Sequence, residues 1–502
     1  MVKLHFQFND SRDKYQVLPP PFPQPWPIIL YLEMRNFQGQ FLKAFKLTGG
    51  PLIAYIIFYL TQNTGLSPEG QSVLSIAAWM AFWWVTETVA MEVTALLPII
   101  LFTLFAKMPM KTVAAPYAHP LIFLFLGAYI LALGIEKTGL HKRMALLIIQ
   151  TVGTRPHQLL FGFMLSTALL SMWMSNTATV VMMLPMALAV IRTIEKDNPQ
   201  IGPALLLGVA YSASIGGMAT LIGTPPNLVF SGVLEQQVNE PVSFIKWMSI
   251  ALPVSVFLLF ITWWILKRPF LTNSISLKVK DLKQNSTITR SEKTVLLIFI
   301  ITAFSWILRV PLLNVFIPQL NDTHIALIGG LSLLIIPYNK NNATPILSWS
   351  DTQKLPWGTL ILFGGGLSLA SAFDQTGVAS WLGSIIEVYA QNWNPLFVII
   401  STVLLINFTT EITSNLATTA VMLPILLPIS EICHIPALFL LGAATLSASC
   451  AFMLPVATAP NALVFGSGKI SVRYMVKNGI ILNLISSISI SLAFYFLMIY
   501  SQ

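Results

Sequence analysis

Residues 175–185 read Ser-Asn-Thr-Ala-Thr-Val-Val-Met-Met-Leu-Pro, and residues 414–424 read Ser-Asn-Leu-Ala-Thr-Thr-Ala-Val-Met-Leu-Pro. Both open on Ser-Asn and close on Met-Leu-Pro at the same spacing, and both interrupt apolar runs long enough to lie in a bilayer. Hydroxyls, amides and freed backbone groups at that depth are costly unless they find partners. Matching breaks in two halves of a chain point to the binding site of a transporter.

Two further pairs extend the match. Thr224-Pro225-Pro226-Asn227 follows the first stretch and Thr458-Ala459-Pro460-Asn461 the second, while Glu136-Lys137-Thr138-Gly139 answers to Asp374-Gln375-Thr376-Gly377 upstream. The offsets are 239 residues for the Ser-Asn pair, 234 for the Thr-X-Pro-Asn pair and 238 for the upstream pair, so the chain is read as a duplication in which each half builds half of one site.

Composition sets the class. The 502 residues are 55% hydrophobic and 9% charged, with a mean hydropathy of +0.74, which describes an all-α polytopic membrane protein and not a soluble enzyme. The net charge of +9 reads as the Lys/Arg excess of cytoplasmic loops and not as a nucleic-acid footprint. Cys433 and Cys450 lie in apolar surroundings and imply no disulfide framework, and the six histidines form no metal-ligand spacing. No cleavable signal peptide is expected; the polar, Pro-rich residues 1–48 read as a cytoplasmic tail, with a short amphipathic surface helix over 36–47.

About eleven transmembrane spans are expected: 50–62, 72–88, 93–106, 120–136, 204–230 and 244–266 in the first half, then 294–312, 324–338, 357–373, 436–465 and 478–499. Residues 158–193 and 395–428, each broken by Ser-Asn, read as two re-entrant helical hairpins with the break at the tip; a full span with an unwound centre is the alternative. Residues 138–152 and 376–390 are expected to lie along the surface. The first repeat then covers 49–266 with an extra first helix, 267–293 is a cytoplasmic linker, and the second repeat covers 294–502. With the N-terminus inside, all of the 28 Lys/Arg except Lys107, Lys111, Lys246 and Arg309 fall on the cytoplasmic face, and the C-terminus lies outside. The loop from Glu136 to Arg143 is basic while its counterpart from Asp374 to Trp381 has no Lys or Arg, so the two repeats are read as inverted.

Two Ser-Asn tips offer hydroxyl and amide oxygens for Na+, and N–H groups and helix N-termini for a carboxylate or similar oxyanion. Neither tip carries Lys or Arg, so a bound anion would rely on dipoles and co-bound cations. The Pro and Gly of Ile222–Asn227 and the Pro of Ala457–Asn461 break neighbouring helices and free carbonyls for Na+. Glu87, Glu92 and Glu411 are acids near membrane depth; Glu87 and Glu92 are expected to anchor packing, and Glu411 either orients the second tip or touches an ion. Gly364-Gly365-Gly366 lacks the setting of a phosphate loop and reads as close helix packing.

Ser175-Asn176-Thr177, Gly223–Asn227, Trp83-Trp84-Val85-Thr86-Glu87 with Val93–Pro98, and above all Ala451-Phe452-Met453-Leu454-Pro455-Val456-Ala457-Thr458-Ala459-Pro460-Asn461 resemble the divalent anion:sodium symporter family over nearly everything after residue 50. The resemblance implies uptake of a di- or tricarboxylate such as succinate, malate or citrate (sulfate in some members) together with Na+, in a homodimer whose transport domain moves like an elevator against a scaffold. It places one Na+ site at Ser171, Ser175, Asn176 and Gly223, and a second at Thr410, Thr413, Asn415 and Ala457. It gives Ser175, Asn176, Thr177, Thr224, Ser414, Asn415 and Thr458 to the substrate, and an inner (plasma) membrane location. Leu416 departs from the pattern: it stands where the first motif has Thr177, so one hydroxyl is lost and apolar bulk gained. The partners expected are therefore a small anion, Na+ and the lipid bilayer. Alternatives within the class are a Na+-independent anion exchanger, a sulfate carrier, a H+-coupled carrier, and an arsenite- or Na+/H+-type relative. Intramembrane proteolysis would need a Ser/His pair, His-Glu-X-X-His or paired Asp at membrane depth, none of which is found, and a channel has no need of inverted broken helices.

Overall fold

The structure is a computed structural model that describes residues 26–153, 155–194, 201–268, 287–337, 344–390 and 393–501. It separates into a short N-terminal unit, Met1–Lys46, and one unit of Leu47–Gln502. The first half contains α1 (Trp26–Thr61), α2 (Pro68–Thr86), α3 (Met91–Ala95), α4 (Leu97–Phe105), α5 (Met110–Ala114) and α6 (Pro120–Thr138). It continues through α7 (Leu140–Val152), α8 (Pro156–Ser171), α9 (Asn176–Ile194), α10 (Ile201–Met218), α11 (Pro225–Val233) and α12 (Phe244–Leu266). The second half contains α13 (Arg290–Leu308), the short α14 (Asn314–Phe316), α15 (Asp322–Ile335), α16 (Trp357–Gln375) and α17 (Val378–Ala390). It closes with α18 (Pro395–Thr409), α19 (Asn415–Ile432), α20 (Ala437–Ala448), α21 (Ala459–Phe465) and α22 (Val472–Ser501).

The repeat seen in sequence is a repeat of elements. α6 and α16 are both 19 residues long, and each passes into a 13-residue helix, α7 or α17, through a glycine. Those glycines, Gly139 and Gly377, have φ of 77° and 76°. Open space surrounds both positions, so what requires glycine there is the left-handed backbone and not crowding. Each short helix leads to a hairpin, α8–α9 or α18–α19, and then to a helix interrupted near its middle, α10–α11 or α20–α21. Both arms of each hairpin pack along one helix, α8 and α9 along α10, and α18 and α19 along α20. In the first hairpin the two arms also meet each other, α8 against α9, as a helical hairpin requires.

Packing sorts the helices into two groups. α6 lies against α15 and α13, and α16 against α3, which together with α2 and α4 form a frame. The second group is the two hairpins with α10–α12 and α20–α22. Close approach within the frame depends on small residues: a Cβ on Gly127 would strike the backbone of Ala326, and one on Gly364 or Gly365 would strike Tyr117 or the Ala95 carbonyl. The triple glycine 364–366 is thus a packing seam, as its sequence context indicates.

Several expected boundaries shift. Residues 36–47 do not form a separate surface helix but lie inside α1, which runs through Gly49-Gly50-Pro51 because Gly49 and Gly50 pack against Phe82, Trp79 and Trp83 of α2. The span expected over 93–106 is two short helices, since Leu96 closes α3 and Pro98 sits in the first turn of α4. The helix expected over 324–338 ends at Ile335 after 14 residues. Among the described residues, seven helical stretches are long and apolar enough to cross a membrane by length and composition. One of these is Asn415–Ile432, a hairpin arm, so length alone does not distinguish an arm from a span. Most of the N-terminal tail and of the 267–293 linker, with Lys196 and Lys340, lie outside the described residues.

Candidate functional site: two hairpin tips against two broken helices

At the first tip the chain leaves α8 at Ser171, turns through Met172-Trp173-Met174-Ser175, and re-enters helix at Asn176. The turn brings the Ser171 hydroxyl to the Asn176 side-chain oxygen, to which it donates at 2.7 Å. Ser175 Oγ accepts from the Ala178 N–H at 3.3 Å and caps α9. The second tip repeats the arrangement: Thr410 Oγ1 donates to Asn415 Oδ1 at 2.8 Å, and Ser414 Oγ caps α19 by accepting from Ala417 N at 3.2 Å. In both halves a hydroxyl five residues upstream holds the asparagine oxygen.

Each tip faces a helix break. α10 stops at Met218, and after the irregular stretch 219–224 Pro225 and Pro226 open α11, where their missing N–H groups leave no bond unmade. The Asn227 amide donates to the Thr220 carbonyl at 2.7 Å and more weakly to those of Gly217 and Met218. Asn461 does the same in the second half, reaching Ala451 O and Leu454 O at 3.0 Å each. The oxygens of Asn227 and Asn461 are buried without a protein partner, leaving in each half an acceptor that an ion or a water would satisfy. Thr220 Oγ1 donates to Met172 O at 2.5 Å, and Thr410 Oγ1 to Ala448 O at 2.9 Å, tying each break to the tip of its own half.

The halves then exchange partners: α9 packs on α21, and α19 on α11. Elements of both repeats therefore meet at the tips, with the N-terminal ends of these helices offering donors and positive dipole ends.

The expected ion residues Ser171, Gly223, Thr410, Thr413 and Ala457 are buried. Of the expected substrate residues, Thr177 is exposed, Ser175, Asn176, Ser414, Asn415 and Thr458 are half-buried, and Thr224 is buried. The buried oxygens therefore stand behind a half-buried to exposed rim. A Cβ on Gly217 would collide with Asn176 Oδ1, and one on Gly223 would collide with Gly217 O. Ser171, Asn176, Gly217 and Gly223 are thus brought together, a cluster of neutral hard oxygens suited to Na+. Thr410, Asn415 and the Ala448 carbonyl are brought together likewise. Thr413 is turned away from them: its hydroxyl donates to Thr409 O at 2.9 Å and shares a 2.5 Å bond with Thr418. The Ala457 N–H closes a turn onto Leu454 O. Gly217 and Ala448 went unnoticed in the sequence; the Gly216-Gly217 pair just ahead of the break was a usable signal, whereas a carbonyl on an alanine gives none.

Glu411 resolves into a positioning role. Its carboxylate accepts from Met453 N at 2.8 Å, Leu454 N at 2.9 Å and Asn483 Nδ2 at 2.7 Å. Tyr211 donates to the neighbouring Phe452 carbonyl at 2.7 Å. The α20–α21 break is therefore held by a buried network whose distal members, Asn483 and Tyr211, carried no mark in the sequence. Leu416 is 9% exposed and packs into the apolar core, so its bulk is not presented at the rim in the way the exposed Thr177 is.

The family description "Sodium:sulfate symporter transmembrane region" matches residues 43–500. A sodium-dependent dicarboxylate transporter, SdcS, of Staphylococcus saprophyticus is 39% identical over 467 residues, 89% of this chain and 90% of that protein. SdcS of Staphylococcus aureus strain bovine RF122 is 38% identical over 468 residues, with the same two coverages of 89% and 90%. The YdaH transporter of Alcanivorax borkumensis, whose crystal structure is described as having an unusual topology, superposes with a TM-score of 0.57 at 16% identity, covering 77% of this chain and 86% of that one; it supports the fold alone. With the family match spanning the hairpins, the breaks and the frame, the chain is a multi-pass membrane transporter, not an enzyme, and it belongs to the sodium:sulfate symporter family, the divalent anion:sodium symporters.

Proposed function

We propose that the protein is a secondary active transporter that carries a divalent organic anion, a di- or tricarboxylate such as succinate, malate or citrate, into the cell by symport with Na+. The observation that carries this reading is the doubled tip: Ser171 on Asn176 and Thr410 on Asn415, each against freed helix carbonyls. Two cations held there would neutralise the anion that the tips, lacking Lys and Arg, do not neutralise themselves. The relatives named as sodium-dependent dicarboxylate transporters support the same reading.

In this proposal the frame stays fixed in an inner (plasma) membrane, and the hairpin group shifts against it as an elevator. The repeats are inverted, about eleven spans and two re-entrant hairpins cross or enter the bilayer, the N-terminus lies inside and the C-terminus outside, and the protein works as a homodimer. A second reading, sulfate carriage, is favoured by the family description.

The test is uptake of radiolabelled succinate, citrate and sulfate into proteoliposomes, with and without an inward Na+ gradient. Uptake of succinate or citrate that requires Na+ is expected. Uptake that ignores Na+ and requires internal anion makes the protein an exchanger, and Na+-driven uptake of sulfate alone moves the assignment to the second reading.

A further inference from the structure

The two tips are equivalent by sequence but are held in different ways. Trp173 lies in the first tip, two residues before Ser175, and Ile412 is its counterpart 239 residues on. Ile412 is 67% exposed. Trp173 instead stacks on Trp306 of α13, with centroids 6.2 Å apart and planes 15° apart, and on Phe244 at 5.9 Å and 22°. It also meets Phe299 of α13 edge-on at 5.0 Å.

The partners of Trp173 are themselves fixed through one residue of the frame. Trp306 Nε1 donates to the Asp322 carbonyl at 3.0 Å, and the Phe244 N–H donates to Asp322 Oδ2 at 2.8 Å. The Asp322 carboxylate pairs with Arg309. Trp84 of α2 makes the equivalent indole bond, to the carbonyl of Met91, which opens α3. At that end the tip contact is the Ser414 hydroxyl on the Met91 sulfur at 3.4 Å, with no aromatic stack. The second tip is held mainly from within its own group, by Glu411 on Met453 and Leu454.

We infer that Trp173 is a positioning residue through which an aromatic stack on the frame sets the first tip, and with it Ser171, Ser175 and Asn176, while the second tip, which meets the frame at Met91 without such a stack, is set chiefly by Glu411. Resting on the transport reading above, this makes the first ion site the one that senses where the hairpin group stands. Movement away from the frame breaks the contacts of Trp173 with Trp306 and Phe299 and the Phe244–Asp322 bond, and loosens the first site more than the second, whose tip meets the frame only at the Ser414–Met91 contact.

Hydrogen exchange on the purified full-length protein reads this directly, with Na+ titrated against a K+ background. In Trp173→Ala, amide exchange over 172–178 and 244–247 is expected to rise roughly tenfold, the effect of losing two stacked pairs, with 410–418 unchanged. The Na+ concentration that half-protects the first tip rises by a similar factor while the midpoint of the second tip stays put, and Trp173→Phe restores most of both. Should the alanine variant not fold, Asp322→Asn, which removes the charge paired with Arg309 and touches neither tip, is expected to raise exchange over 244–247 and 172–178. Change confined to 172–174, equal shifts at both tips, or an unmoved first tip in Asp322→Asn each overturns the inference. Absence of Na+ protection at both tips of the native protein, with the exchange effects of Trp173→Ala intact, would remove the transport reading and leave the positioning role standing.

Discussion

Asn176 and Asn415 each present an amide oxygen that is fixed by a hydroxyl five residues upstream, and neither side chain has an apolar role to lose. Asn176→Ala and Asn415→Ala are therefore expected each to abolish Na+-dependent uptake while the protein still reaches the membrane. Uptake assays beside immunoblots of the membrane fraction check both halves of that statement, and full uptake by both variants would remove the site assignment. Glu411 works at one step's distance. Leu in its place strands three buried donors, Met453 N, Leu454 N and Asn483 Nδ2, at a cost of about 3 kcal/mol or more in stability. Glu411→Gln keeps the shape but turns one acceptor into a donor. Thermal unfolding in detergent should place the native protein above Glu411→Gln and Glu411→Leu lowest. The Ser-Asn motifs were legible as residues, since polar groups at membrane depth need a reason. Which oxygen each hydroxyl would seek was not, because that depends on the curvature of the turn between two helices.

Among the elements, the hairpins and broken helices could be read from the sequence because Pro, Gly and Ser-Asn interrupt apolar runs and the backbone they free has to be re-satisfied. The exact lengths were less legible. Leu96 and Pro98 split one expected span, and Gly49-Gly50-Pro51 failed to end α1 because the aromatic side chains of α2 fill the groove that the two glycines leave. Two glycine predictions belong here and differ in cause. Gly139→Ala and Gly377→Ala meet no steric neighbour but place a Cβ at φ of 77° and 76°, so each should lower stability by about 1 kcal/mol. Gly365→Val instead drives a side chain into Ala95, and should cost about 1–3 kcal/mol and separate α16 from α3. Thermal unfolding of the purified variants gives the ranking; a Gly365→Val as mild as Gly139→Ala would mean that the seam yields.

For the whole molecule, α9 packs on α21 and α19 on α11, so the proposed site draws on both halves. Chains 1–268 and 287–502, co-expressed as separate pieces, are expected to recover Na+-dependent uptake, and either piece alone to show none. Uptake by the first piece alone would contradict a shared site.

The sequence by itself determined the membrane class, the duplication, the two tips and the family pattern, because each rests on local chemistry: apolar length, proline, glycine, and polar residues that need partners. Tertiary structure alone decided that Thr413 bonds inward to Thr418, that Leu416 packs into the core, and that Gly217 and the Ala448 carbonyl join the tips. It alone made Trp173 a half-buried stack and Ile412, its equivalent, an exposed side chain. The physical reason is that a repeat copies local sequence but not surroundings. Two equivalent positions meet different neighbours once the halves interlock, and for Trp173 those neighbours lie about 70 to 130 residues away along the chain.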